Sequence, residues 1–170
     1  IDYFVESGWN VMIFDFAGCG LSEGNKISLG FRESIDLAII IAEARRRGNR
    51  KILLWGRSMG ASTSTYASKI STEVSPNYFK MPKCMCVCIG FSVQQPMVAA
   101  KEAGQKVTGL PAFLVSALLS FLDRYLNSHE GFSIDEMNLL PMMNRVECPI
   151  MFIASENDLT TGIHHTQALF

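Results

Sequence analysis

Ser58 is the residue whose surroundings point most directly to chemistry. The string Gly56-Arg57-Ser58-Met59-Gly60 follows an apolar run at 51–55 (KILLW) and precedes a segment of helix-forming character. A Gly-x-Ser-x-Gly string between a strand and a helix forms a nucleophile elbow, a sharp turn that lifts the hydroxyl above the sheet. Reacting groups in open parallel sheets gather at the carboxyl ends of the strands, which is where Ser58 sits. The helix that follows presents free N–H groups, and the N–H of Met59 would form half of an oxyanion hole. Gly56 and Gly60 are read as positions where a Cβ would crowd strand against helix. A second reading of the same serine is an ordinary N-cap.

The elements that must position it follow from hydrophobic patterning. Residues 10–16 (NVMIFDF), 51–55, 83–91 (KCMCVCIGF) and 149–154 (PIMFIA) are apolar runs without polar alternation, which predicts strands buried on both faces. Between the first two, Phe31, Ile35, Ala38, Ile39 and Ala42 recur at helical spacing, and Arg45, Arg46, Arg47 and Gly48 supply a C-terminal stop. A further helix is predicted from Met59 to about Ile70. Strands alternating with helices predict a doubly wound α/β domain with a parallel sheet. The stretch of about 57 residues at 92–148 exceeds a simple crossover and predicts a short helical insertion.

Composition bounds the function classes. The chain has 170 residues, a formal net charge of −1 and 48% hydrophobic residues, which suits one cored domain and excludes a basic nucleic-acid binder. Cys84, Cys86 and Cys88 alternate within one apolar run; on a strand, neighbours separated by roughly 6.5–7 Å do not converge on one zinc ion and read as buried thiols of a reducing compartment. The insertion contains PAFLVSALLSFLDRYL, 16 residues at 111–126, short of the roughly 20 that span a bilayer. Core packing is the first expectation for it, with peripheral membrane or acyl-chain contact as the alternative.

Four segments carry a resemblance to a known family: GWNVMIFDFAGCGLSEGN (8–25), LGFRESIDL (29–37), ILLWGRSMGAS (52–62) and CPIMFIASENDLTT (148–161). Through them the chain resembles the α/β-hydrolase superfamily, and within it the serine aminopeptidase and monoacylglycerol-lipase-like group. The family writes Asp-Arg-Gly-x-Gly-x-Ser after a strand, and here Ala17 replaces the Arg. Glu33 and Asp36 match a family pair, read as braces between a helix and the glycine loop. The resemblance implies Asp158 as the acid that orients a catalytic histidine, with Glu156 as the fallback and a helix-capping Asp158 as the bland alternative. Ser155 stands where the family has Gly. The order Ser58 then Asp158 agrees with that of the hydrolases.

A serine hydroxyl needs a base, and the chain has three histidines. His129 precedes the acid. His164 and His165 follow it too soon for the family's base and read as exposed helix residues, with a catalytic role for one of them as the alternative. The resemblance also implies an early strand ending in His-Gly, between the strands at Val11 and Ile52, that donates the second oxyanion N–H. Ile1 and Phe170 both fall within helix-like segments. The expectation is therefore a partial α/β-hydrolase domain over 1–170 with an incomplete sheet and little activity alone. The parent protein is expected to be a serine hydrolase of esters, thioesters or amides, acting through an acyl-enzyme on small acyl or peptidyl substrates. No cofactor, metal or nucleic acid is expected, and the compartment is expected to be cytoplasmic. The alternative is a non-catalytic hydrolase-like scaffold.

Overall fold

Three short strands form the frame: β1 (Leu53–Arg57), β2 (Met85–Ile89) and β3 (Ile150–Ile153). They lie in the order β1-β2-β3, all parallel, with Leu54 opposite Cys86 and Cys86 opposite Ile150. The structure is a computed structural model that describes residues 1–49, 51–73, 85–89, 96–146, 148–158 and 162–170. Its helices among these residues are α1 (Asp2–Glu6), α2 (Glu33–Arg46), α3 (Met59–Glu73), α4 (Pro96–Thr108), α5 (Ala112–Glu130) and α6 (Ile163–Leu169), with 3₁₀ turns at Asp135–Met137 and Leu140–Arg145. Parallel strands cannot be joined by a hairpin, and α3 supplies helical chain between β1 and β2, packing on both. Three of the expected strands are present, β1 displaced two residues toward the C-terminus. Cys84 lies outside the described residues; Cys19 and Cys148 are half-buried thiols, and the Cys148 sulfur lies 3.6 Å from the Ser68 hydroxyl.

Two expectations are corrected. Residues 10–16 form no strand. A strand exists only through pairing, and β1 is an edge of the sheet with no partner for this segment among the described residues. Instead, a groove of about 760 Å³ lies between Phe4, Val11, Phe14 and the β1 residues Leu53 and Trp55. Nor, among the described residues, are the strands covered equally on both sides. Burial alternates along β1, where Leu54 and Gly56 are buried and Trp55 and Arg57 are exposed. Trp55 and Met151 share one row of the sheet through Val87 and are 53% and 52% exposed. Among the described residues the two faces differ: Leu54 packs with Leu37 and Ile41 of α2 and Ala67 of α3, while on the opposite face Trp55 meets the Phe4 ring edge-on at 5.1 Å and remains half exposed.

Close approach on the covered face depends on small residues. A Cβ at Gly56 would lie 2.2 Å from the Gly60 carbonyl oxygen and 2.6 Å from the Ala61 nitrogen, so strand and helix meet backbone to backbone. A Cβ at Gly60 would meet nothing described, which corrects the expectation that both glycines relieve crowding. Buried Thr63, Ser64, Thr65 and Ser68 of α3 each donate their hydroxyl to the carbonyl four residues earlier, at 2.8–3.0 Å. These four buried hydroxyls are thereby paired within the helix.

The connection into α2 is held by two acids. The Glu33 carboxylate is buried and accepts the Ser28 N–H (2.7 Å), the Ser28 hydroxyl (2.6 Å) and the Gly30 N–H (2.8 Å). Burial works to raise its pKa, but these hydrogen bonds outweigh it and hold the group below the usual 4.5. Asp36 accepts the Ala17 N–H at 3.1 Å, so the backbone at Ala17 provides the tie where the family's Arg is missing. Asp15 accepts the Leu21 N–H at 3.0 Å, and its Oδ2 sits 2.2 Å from where a Cβ on Gly20 would be. α2 stops as expected, with Gly48 at φ 92°, although Ile35 and Ile39 are exposed and the buried face runs through Glu33, Leu37, Ala38 and Ile41.

Within 92–148 the described residues include α4 and α5, which pack against each other, and Tyr66 of α3 anchors a second core with Phe132, Leu139, Met142 and Leu169. The expected core packing of the apolar helix is corrected. Val115 alone is buried in α5, whereas Leu114, Leu118, Phe121, Leu122 and Tyr125, three or four residues apart, are exposed. No helix among the described residues is long and apolar enough to cross a membrane.

Two outcomes follow. Gly56→Ala forces backbone overlap and costs about 3 kcal/mol in urea denaturation or abolishes folding, whereas Gly60→Ala is neutral or stabilises by up to about 1 kcal/mol. Glu33→Gln leaves buried donors poorly matched and destabilises by about 1–3 kcal/mol at neutral pH. Because the folded pKa of Glu33 is depressed, the stability it contributes is full above 4.5 and is lost as pH falls through the folded value. The difference between wild type and Glu33→Gln therefore narrows in denaturation curves taken progressively below pH 4.5.

Candidate active site

β1 ends at Arg57 and α3 begins at Met59, so Ser58 makes the turn alone. A reversal that tight requires left-handed backbone, and Ser58 has φ 53°. For a non-glycine residue this costs about 1–3 kcal/mol and persists only where the surroundings enforce it. The Ser58 carbonyl accepts the Ala61 and Ser62 N–H groups at 2.9 and 3.3 Å, which starts the helix. Its hydroxyl does not behave as a cap: the residue is exposed, and Ser58 Oγ makes no hydrogen bond among the described residues. The Met59 N–H, at the first helical position, is likewise unengaged among the described residues. Gly56 is the buried contact beneath this turn, and Gly60 contributes its backbone.

Asp158 follows the end of β3 by five residues and is half-buried. Its N–H donates to the Ser155 carbonyl at 3.3 Å. That turn closes without any left-handed residue, so Ser155 occupies the position without strain. Glu156 is exposed in the same turn. Since β1 and β3 flank β2 in parallel, Ser58 and Asp158 both leave the carboxyl edge of the sheet, from strand axes about 10 Å apart.

None of the three histidines hydrogen-bonds Ser58. His129, near the end of α5, stacks on Tyr125 with ring centroids 4.2 Å apart and has Nδ1 2.8 Å from Ser128 Oγ. His164 is exposed at the start of α6, but His165 is 1% exposed, which corrects the expectation that both are surface residues. Each directs Nε2 to Glu102 of α4. Burial, joined by the neighbouring His164, lowers the His165 pKa below its usual value, with Glu102 opposing. The sequence signal for this cluster was the adjacent pair after Gly162; nothing near Glu102 marked it as the third member.

No family model matches the chain. It is 27% identical over 170 aligned residues to the uncharacterized protein YqkD of Bacillus subtilis, covering 98% of this chain and 52% of that protein. Two solved structures of the esterase Pf2001 of Pyrococcus furiosus are similar in fold, with TM-scores of 0.65 and 0.63 and identities of 22% and 23%. Each likeness covers 99% of this chain and 58% or 57% of the esterase. The chain thus spans little more than half the length of the proteins it matches, and over that span its fold is similar to that of the two esterase structures.

Proposed function

We propose that the whole protein is a serine hydrolase that cleaves ester, thioester or amide bonds through an acyl-enzyme. The observation that carries this reading is the left-handed Ser58 at the strand–helix junction, with an unengaged hydroxyl. Left-handed backbone at a strand–helix junction that presents a hydroxyl to solvent is the geometry of a nucleophile elbow. In this reading Ser58 Oγ attacks the substrate carbonyl while the Met59 N–H receives the developing oxyanion. Asp158 orients an imidazole that takes the Ser58 proton and returns it to the leaving alcohol, thiol or amine; water then releases the acid. The base and the second oxyanion donor are assigned to residues of the whole protein outside these 170, an assignment supported by matched proteins nearly twice as long. The serine aminopeptidase and monoacylglycerol-lipase-like group supplies the finer class, with small acyl or peptidyl substrates and no cofactor.

A fluorophosphonate probe is expected to label the full-length protein at Ser58, and Ser58→Ala to abolish labelling without unfolding the chain. No labelling of folded full-length protein overturns the enzyme and favours the non-catalytic scaffold. The isolated 170 residues should label weakly at most. Asp158→Asn is expected to lower kcat by about 10⁴ on an activated ester, whereas Glu156→Gln leaves it within about twofold; the reverse ranking would transfer the acid to Glu156.

A further inference from the structure

A second cluster of reactive side chains lies apart from the elbow, where α4 meets α6. Glu102 sits midway along α4, and His164 and His165 open α6. The Nε2 atoms of both histidines lie 3.7 Å from the same carboxylate oxygen, Glu102 Oε2, and one donor atom from each residue falls within 4.8 Å of the others. These separations exceed a hydrogen bond. They approach the roughly 3.3–3.5 Å between donors around a tetrahedral ion with bonds of 2.0–2.2 Å.

Two features argue that the cluster is more than a surface ion pair. His165 is almost fully buried, yet neither of its ring nitrogens has a hydrogen-bond partner among the described residues, a condition that native structures rarely accept without an ion or water nearby. Adjacent residues on a helix diverge by about 100°, so two neighbouring imidazoles meet one oxygen only if a ring bends back. Gly162 permits this: a Cβ there would lie 2.5 Å from His164 Cε1 and 2.6 Å from Nδ1. The two rings stand with centroids 4.2 Å apart.

We infer that Glu102, His164 and His165 form a three-ligand site for a divalent transition ion of the zinc class. Two imidazoles and one carboxylate, without thiolate, are the donor set that such ions accept. Glu102 and His164 remain partly exposed, at 40% and 57% of their side chains, which leaves a fourth position open to water. Coordination through Nε2 engages one of the orphaned nitrogens of His165 and ties α4 of the insertion to α6.

The test is isothermal titration of Zn²⁺ into the metal-stripped full-length protein, with circular dichroism to verify folding. Wild type is expected to take up one equivalent at about 10 μM protein and to melt at a higher temperature when loaded. Glu102→Gln and His164→Ala, both at partly exposed positions, are each expected to weaken binding at least tenfold. His129→Ala, on the exposed end of α5, should leave affinity unchanged. Absence of saturable binding by wild type, or wild-type affinity in both ligand variants, overturns the site. The labelling of Ser58 is a separate readout, so failure of one reading leaves the other standing.

Discussion

The contact on which the candidate site depends is the backbone approach of α3 to β1 at Gly56. With 2.2 Å between the Gly60 carbonyl oxygen and the position a Cβ on Gly56 would take, the helix can begin only two residues after the strand ends at Arg57. That leaves one residue for the reversal, and the left-handed φ of Ser58 is its geometric consequence. The conformational cost at Ser58 is offset by burial nearby: Ala61 and Ala67 are almost wholly enclosed, and Leu54 joins Leu37 and Ile41 beneath them. A serine is thereby held outward by contacts that do not involve its own side chain.

The same economy governs the loops on the other side of α3. Glu33 and Asp36, one turn apart on α2, do not pair with cations. They take backbone N–H groups of Ser28, Gly30 and Ala17 that have no helix or sheet to satisfy them. Ionised carboxylates make strong acceptors for such bonds, and burial is tolerable for Glu33 because each oxygen is occupied. The stretch from Asp15 to Gly30 is therefore irregular without being unpaired, and Gly30 lies against Ser62 and Thr63 of α3.

What could be read from residue types was whatever depends on short range. The turn at Ser58, the stop of α2 at Gly48 and the ties of Glu33 to Ser28 and Gly30 are decided within a few residues, whereas the Asp36 bond to Ala17 spans 19. Pairing is not. The run at 10–16 has the composition of a strand, but a ladder needs a second chain segment beside it, and composition carries no information on whether one is present. Facing was misjudged for a related reason: apolar runs such as LLW and IMFI do not reveal whether both faces are covered, and Trp55 and Met151 lie in the open. The burial of His165 escaped notice because Glu102, which it meets, belongs to a different helix far away in sequence.

These differences in range bear on how the site is completed. The turn at Ser58 is determined by contacts between residues 56 and 62 and by the sheet position of β1, so it forms without the groove beside β1 being filled. On the function proposed above, a general base and a second oxyanion donor are different in kind, because each is carried to within about 3 Å of Ser58 Oγ or of the substrate oxygen by elements folded from elsewhere. The outer edge of β1, bordered by a groove with apolar walls, is the side from which a further strand can approach that turn through ordinary backbone pairing. On the function proposed above, Ser58 is set by local geometry and its partners by long-range packing, so the turn at Ser58 does not wait on those partners to form.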